Sequence, residues 1–169
     1  MLRLRPYKDC DAEAIVSWIG GERAFRQWCA DRYDSYPVTA DDLIEHYRGT
    51  ACSDAFFPMT AFDEKGVAGH LILRFTDEEK SVVRLGFVIV DSSRRGTGLG
   101  KELVKLAVRY AFEFLGAKKV TLGVFENNAP ALHCYLAAGF KTVEADEQES
   151  YRIFGEEWKC TELETDSPL

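Results

Sequence analysis

The sequence lacks an excess of positive charge: 21 lysines and arginines stand against 28 aspartates and glutamates, a formal net charge of −7. Displacing counterions from a phosphate backbone needs a basic surface, so this balance argues against a nucleic-acid partner. Paired cysteines are missing too. Cys10, Cys29, Cys52, Cys134 and Cys160 are odd in number and scattered, without a C-x-x-C pair or the histidine spacing of a zinc site. They predict reduced thiols in a cytoplasmic protein and no metal. No apolar run approaches the ~18 residues of a membrane span, and the first six residues have no signal-peptide core, so no membrane partner is expected. Repeats, low-complexity tracts and linkers are absent, and the 169 residues suit one domain over 1–169.

What is there is a well-filled core pattern, with 46% hydrophobic residues. Alternation or short apolar runs predict strands at 2–5, 56–62, 67–75, 82–90 and 120–125, with a closing hairpin from 151–154 and 158–163. Gly86, inside an otherwise buried strand, marks a bulge or a close backbone approach. Helices are expected at 12–19, stopped by Gly20-Gly21, and at 22–29. A third is opened by Thr39 with Asp42 three positions on, the spacing of a capping box. Leu99, Leu103, Leu106, Ala107, Tyr110 and Phe114 recur at three- and four-residue steps and predict a long helix ended by Gly116. A shorter one runs from the Asn128 cap to Ala138, with Gly139 beyond.

Between the 82–90 strand and the long helix lies Arg95-Gly96-Thr97-Gly98-Leu99-Gly100. Strand, glycine loop and helix in that order place bare amides at a helix N-terminus, where outward N–H groups and the helix dipole favour an anion such as a pyrophosphate. The string lacks the G-x-G-x-x-G spacing of a dinucleotide fold and the G-K-[ST] ending of an ATP- or GTP-binding loop. By itself it is an anion site or a plain glycine-rich turn.

The loop matches the [QR]-x-x-G-x-[GA] signature of the GNAT superfamily of N-acetyltransferases, and residues 128–140, Asn-Ala-Pro-Ala-Leu-His-Cys-Tyr-Leu-Ala-Ala-Gly-Phe, resemble that family's N-x-x-A-x-x-x-Y-x-x-x-G-F segment at every fixed position. The resemblance implies an α/β fold: a central, mostly antiparallel twisted sheet of about seven strands with one splayed pair, flanked by helices on both faces. It implies acetyl-CoA as cosubstrate. The backbone of Val88, Ile89 and Val90 would pair with the pantetheine arm as an added strand does. The amides of Arg95, Gly96, Thr97, Gly98, Leu99, Gly100 and Lys101 would hold the pyrophosphate, with the Arg95 charge in support. Asn128 would meet a pantetheine amide, beside the plain reading of a helix cap. Tyr135, which would also touch the cofactor, matches the tyrosine that serves as general acid, giving a proton to the departing thiolate; as a bare residue it is equally a helical tyrosine packed on the sheet.

The acceptor is then a primary amine attacking directly, without a covalent enzyme intermediate. It is either a cationic small molecule, polyamine- or aminoglycoside-like, or a peptide N-terminus. Glu22, Asp31, Asp34, Asp41, Asp42 and Glu45 cluster in the segment expected to build the acceptor groove and would attract a cation; a solvated helical face accounts for them as well. The resemblance breaks where a base is expected: Gly123 stands where some members carry an acid, and Arg84 where others have glutamate. Glu126 is the nearest remaining carboxylate, and the base is left unassigned. Without a base, a non-catalytic acyl-CoA-binding sensor or interaction module on the same fold is the alternative. Exposed strand edges near the tail leave room for a homodimer.

Overall fold

The computed structural model describes residues 1–144 and 148–168. The chain runs β1 (Arg3–Pro6), α1 (Ala12–Ser17), α2 (Glu22–Cys29), α3 (Ala40–Gly49), β2 (Phe56–Asp63), β3 (Gly66–Phe75), β4 (Val82–Val90), α4 (Leu99–Glu113), β5 (Lys119–Phe125), α5 (Ala129–Ala138), β6 (Lys141–Thr142), β7 (Ser150–Ile153) and β8 (Glu156–Thr165). The eight strands form one sheet in the order β1-β2-β3-β4-β5-β8-β6, with β7 also paired to β8. Every pairing is antiparallel except β4 with β5. The expected architecture is therefore present, with an eighth strand, the two-residue β6, beyond the anticipated seven.

Helices cover both faces because adjacent sheet residues point oppositely. On one face α4 buries Leu103, Val104, Ala107 and Val108 against Leu71, Leu73, Val83, Leu85, Val120 and Leu122, joined by Tyr135 and Ala138 of α5. On the other, α1 and α3 bury Ile15, Trp18, Leu43 and Tyr47 against Ile72 and Ile89. Under this second face lies a buried polar group. Asp11 takes both Arg5 guanidinium nitrogens, at 2.7 and 2.8 Å, and the Thr60 hydroxyl at 2.8 Å. Although burial works against its charge, these bonds hold the carboxyl below its ordinary range.

Local signals set the element ends. Thr39 accepts from the Asp42 amide at 3.2 Å while Asp42 accepts from the Thr39 amide at 2.8 Å, the reciprocal pair that opens α3. Helix α1 stops at Ser17, two residues before the expected end, where Trp18 and Ile19 turn to i−3 carbonyls. No helix among the described residues is long and apolar enough to cross a membrane.

Candidate active site

Strands β4 and β5 pair across Val82–Arg84 and Lys119–Thr121, and among the described residues no further rung joins them. Beyond that point β4 stays on β3 and β5 stays on β8 out to Phe125, so the two parallel neighbours part and each leaves an open edge toward the gap. A bulge helps turn β4: the register with β3 shifts beside Phe87, which has φ +49°. Gly86 lies directly before it. A side chain there would stand 3.2 Å from Ile72 Cγ1, so the glycine permits a close approach and the bulge falls on its neighbour.

Val88, Ile89 and Val90 form the end of β4 along this gap, with Val88 and Val90 packed toward the α4 face and Ile89 toward the α1 and α3 face. The chain then turns through Ser92–Arg94 into the glycine loop. Gly96 and Gly98 have φ of +79° and +88°, and their missing side chains face open space. The first turn of α4 closes with the Glu102 amide on the Gly98 carbonyl at 3.1 Å, so the amides of Leu99, Gly100 and Lys101 precede the helical ladder. Side chains brace the loop: Ser93 donates to Asp91, Arg94 pairs with Asp63, and the Thr97 hydroxyl donates to the Arg94 carbonyl at 2.7 Å. Arg95 donates to the Trp18 carbonyl at 2.8 Å, tying the loop to the end of α1.

Asn128 caps α5 through Oδ1, which accepts from the Ala131 amide at 3.4 Å, and its side-chain amide protons remain for another acceptor. Gly100 brings α5 against the start of α4: a side chain there would lie 3.2 Å from Cys134 Sγ. That contact sets Tyr135, 8% exposed, in the core beside the loop. Burial pushes the Tyr135 phenol above its ordinary range, which keeps it protonated and able to donate. Burial likewise raises the Cys134 thiol and disfavours the nucleophilic thiolate.

On the opposite face of the gap lies a cavity of about 440 Å³, reached from the edges of β4 at Leu85–Phe87 and β5 at Gly123 and Phe125. Trp28 of α2, Phe56, Phe87 and Tyr151 give it aromatic walls, and His46, Arg32, Arg74, Arg84 and Glu149 supply polar groups. His46 Nδ1 lies 2.9 Å from the Tyr33 hydroxyl, and burial lowers its pKa, favouring the neutral ring. Arg84 forms a two-bond ion pair with Glu162, at 2.6 and 2.7 Å, lying across Gly123. A side chain at Gly123 would stand 2.6 Å from Arg84 Nη2 and 3.0 Å from Glu162 Oε1. Ligand atoms of Glu149, Cys160 and Glu162 fall within 4.8 Å of one another, a spacing a metal could use, yet Glu162 already holds a guanidinium.

None of the acidic residues singled out between Glu22 and Glu45 lines this cavity. Asp42 is spent on the α3 cap, Asp31 pairs with Arg32, and all six are exposed. Glu126 is an exposed partner of Gln148 at 2.7 Å. The cavity residues carry no spacing signal, because strand register rather than proximity in sequence brings them together; the Gly86 bulge is the one local hint, for Phe87.

The model of the acetyltransferase (GNAT) family matches residues 22–140. Spermine/spermidine N(1)-acetyltransferase of Bacillus subtilis (strain 168) is 32% identical over 65 residues, 38% of this chain and 43% of that protein, so the match spans less than half of the relative. An N-acetyltransferase 9-like protein of Nematostella vectensis is 29% identical over 154 residues, 85% of this chain and 76% of that one. Among solved structures, spermidine N-acetyltransferase from Vibrio cholerae in complex with CoA and spermine shares the fold, with a TM-score of 0.81 at 22% identity over 97% of this chain and 94% of that one. A dodecameric structure of the Vibrio enzyme superposes with a TM-score of 0.74 at 22% identity over 97% and 92%.

Proposed function

The chain belongs to the acetyltransferase (GNAT) family, and on that premise we propose that it transfers the acetyl group of acetyl-CoA to a primary amine by direct attack within a ternary complex. The observation that carries this reading is the parting of β4 from β5 beside the free amides of the α4 N-terminus. The open edge at Val88, Ile89 and Val90 suits an extended amide-bearing arm, and the amides from Arg95 through Lys101 suit a pyrophosphate. Asn128 offers its amide to the same arm. Tyr135 gives its proton to the departing thiolate.

Proton removal from the attacking ammonium we assign to His46, a neutral imidazole lining the cavity on the acceptor side. The relatives that act on spermine and spermidine make polyamines the first acceptors to try, followed by aminoglycosides and peptide N-termini. Five free cysteines accord with a cytoplasmic location, and the dodecameric Vibrio protein supports self-association.

Thiol release from acetyl-CoA, followed across a panel of amines, tests the reading. It should be saturable in at least one amine, and Tyr135→Phe should lower kcat by about 100-fold while CoA binding persists. CoA binding without turnover across the panel would favour the acyl-CoA sensor instead.

A further inference from the structure

We propose that the acceptor amine also carries an acidic group, a carboxylate or phosphonate, and that Arg74 binds it in the cavity lined by α2. This rests on the acetyl-transfer reading and names its substrate class.

Arg74 and Arg84 stand directly opposite each other on the antiparallel strands β3 and β4. Like charges in that position repel and weaken a sheet. Arg84 is relieved by its two bonds to Glu162. Among the described residues Arg74 has no such partner, although it is half-buried and lines the cavity. Burial, then Arg84, then Arg32 disfavour its charge, with Glu162 and Tyr151 opposing in part. Arg32 lines the cavity as well, with Asp31 as an exposed partner.

With Arg84 paired to Glu162 and Arg32 to Asp31, Arg74 is the arginine of the cavity wall without an ion-pair partner among the described residues, and the wall's carboxylate, Glu149, accepts from the Tyr151 hydroxyl at 2.7 Å. A polycation would meet the uncompensated Arg74 here. An anion would complete the set, because the planar guanidinium fork takes a carboxylate or phosphonate through two parallel bonds. Trp28 and Phe87, with ring centroids 5.1 Å apart, form an apolar wall for the body of such a molecule.

The test compares matched amines as acceptors for the full-length protein with acetyl-CoA: phenylalanine against phenylalaninamide, 2-aminoethylphosphonate against ethanolamine, and spermidine. We expect kcat/KM for the acid to exceed that of its neutral partner by at least about tenfold. Arg74→Gln should bring that ratio near one, and Arg74→Lys should restore part of it. Preference for spermidine or the neutral amines overturns the inference and leaves acetyl transfer standing. Should no thiol be released from any amine, the transfer reading falls. Calorimetric titration of phenylalanine and 2-aminoethylphosphonate into the CoA-bound protein then decides the inference: binding weakened at least tenfold in Arg74→Gln upholds it, and no binding overturns it. Loss of CoA binding in Arg74→Gln would report misfolding, and the comparison then runs on Arg74→Lys.

Discussion

His70 makes the stability of this fold pH-dependent in a window that opens above the range in which carboxylates titrate. The ring is fully buried on β3, with Nε2 2.6 Å from the Tyr47 hydroxyl and Tyr7 packed edge-on nearby. Burial pushes its pKa from 6.5 down to about 3, with the Met59 backbone and Asp11 opposing in part. Above pH 6.5 the ring is neutral in both the folded and the unfolded chain and contributes no slope. As pH falls below 6.5 the unfolded chain takes up a proton that the folded one refuses, so stability is lost progressively down to about pH 3. At pH 5 the unfolded state gains about 2 kcal/mol from this group, a figure set almost wholly by the unfolded pKa. Urea unfolding of the wild type and of His70→Gln at pH 7.5 and pH 5.0 isolates the effect, since His46 and the carboxylates contribute alike to both proteins. The wild type should lose about 2 kcal/mol more than the variant on acidification. An equal loss in the two proteins would refute a neutral buried His70.

Gly98→Ala forces a side chain into φ +88° at the start of α4, at a cost of about 1–2 kcal/mol, and should weaken CoA binding by about tenfold in a direct titration; unchanged affinity would detach the loop from the cofactor. Gly123→Ala drives a methyl group into the Arg84–Glu162 pair and Cys160 Sγ, and should cost about 1–3 kcal/mol in urea unfolding. His46→Gln should lower kcat/KM by about 100-fold at pH 7.5. The wild-type rate should fall as pH drops through the lowered pKa of His46 and the ring takes up a proton, a limb the variant lacks; identical pH profiles would remove His46 from the reaction.

The local geometry of the proposed donor half was legible in the sequence because its determinants lie close together along the chain. Gly96 and Gly98 occupy positive φ within one short loop, and the Asn128 cap, Tyr135 and Gly139 all lie within α5 and its ends. Two local features escaped. β6, Lys141–Thr142, is two exposed residues long and exists through its pairing with Leu163 and Glu164 of β8, which no pattern within it could announce. α1 loses its last expected turn because Trp18 and Ile19 hydrogen-bond three residues back.

The acceptor half was illegible for a different reason: its geometry is made by register. Arg74 faces Arg84 across β3 and β4, Arg84 faces Thr121 across β4 and β5, and Gly123 faces Glu162 across β5 and β8. Seen along the chain, Gly123 reads as a missing acid and Arg84 as a charge of the wrong sign. In the sheet the two depend on each other. The absent side chain at Gly123 leaves the space in which the Arg84–Glu162 pair crosses β5, so the carboxylate is supplied from β8 rather than from β5 itself. The pair bridges β4 to β8 next to the last rung shared by β4 and β5, where the two strands separate. One interaction thereby anchors the closed end of the gap and neutralises one of two facing arginines. The other, Arg74, is left as the group whose charge a ligand can satisfy.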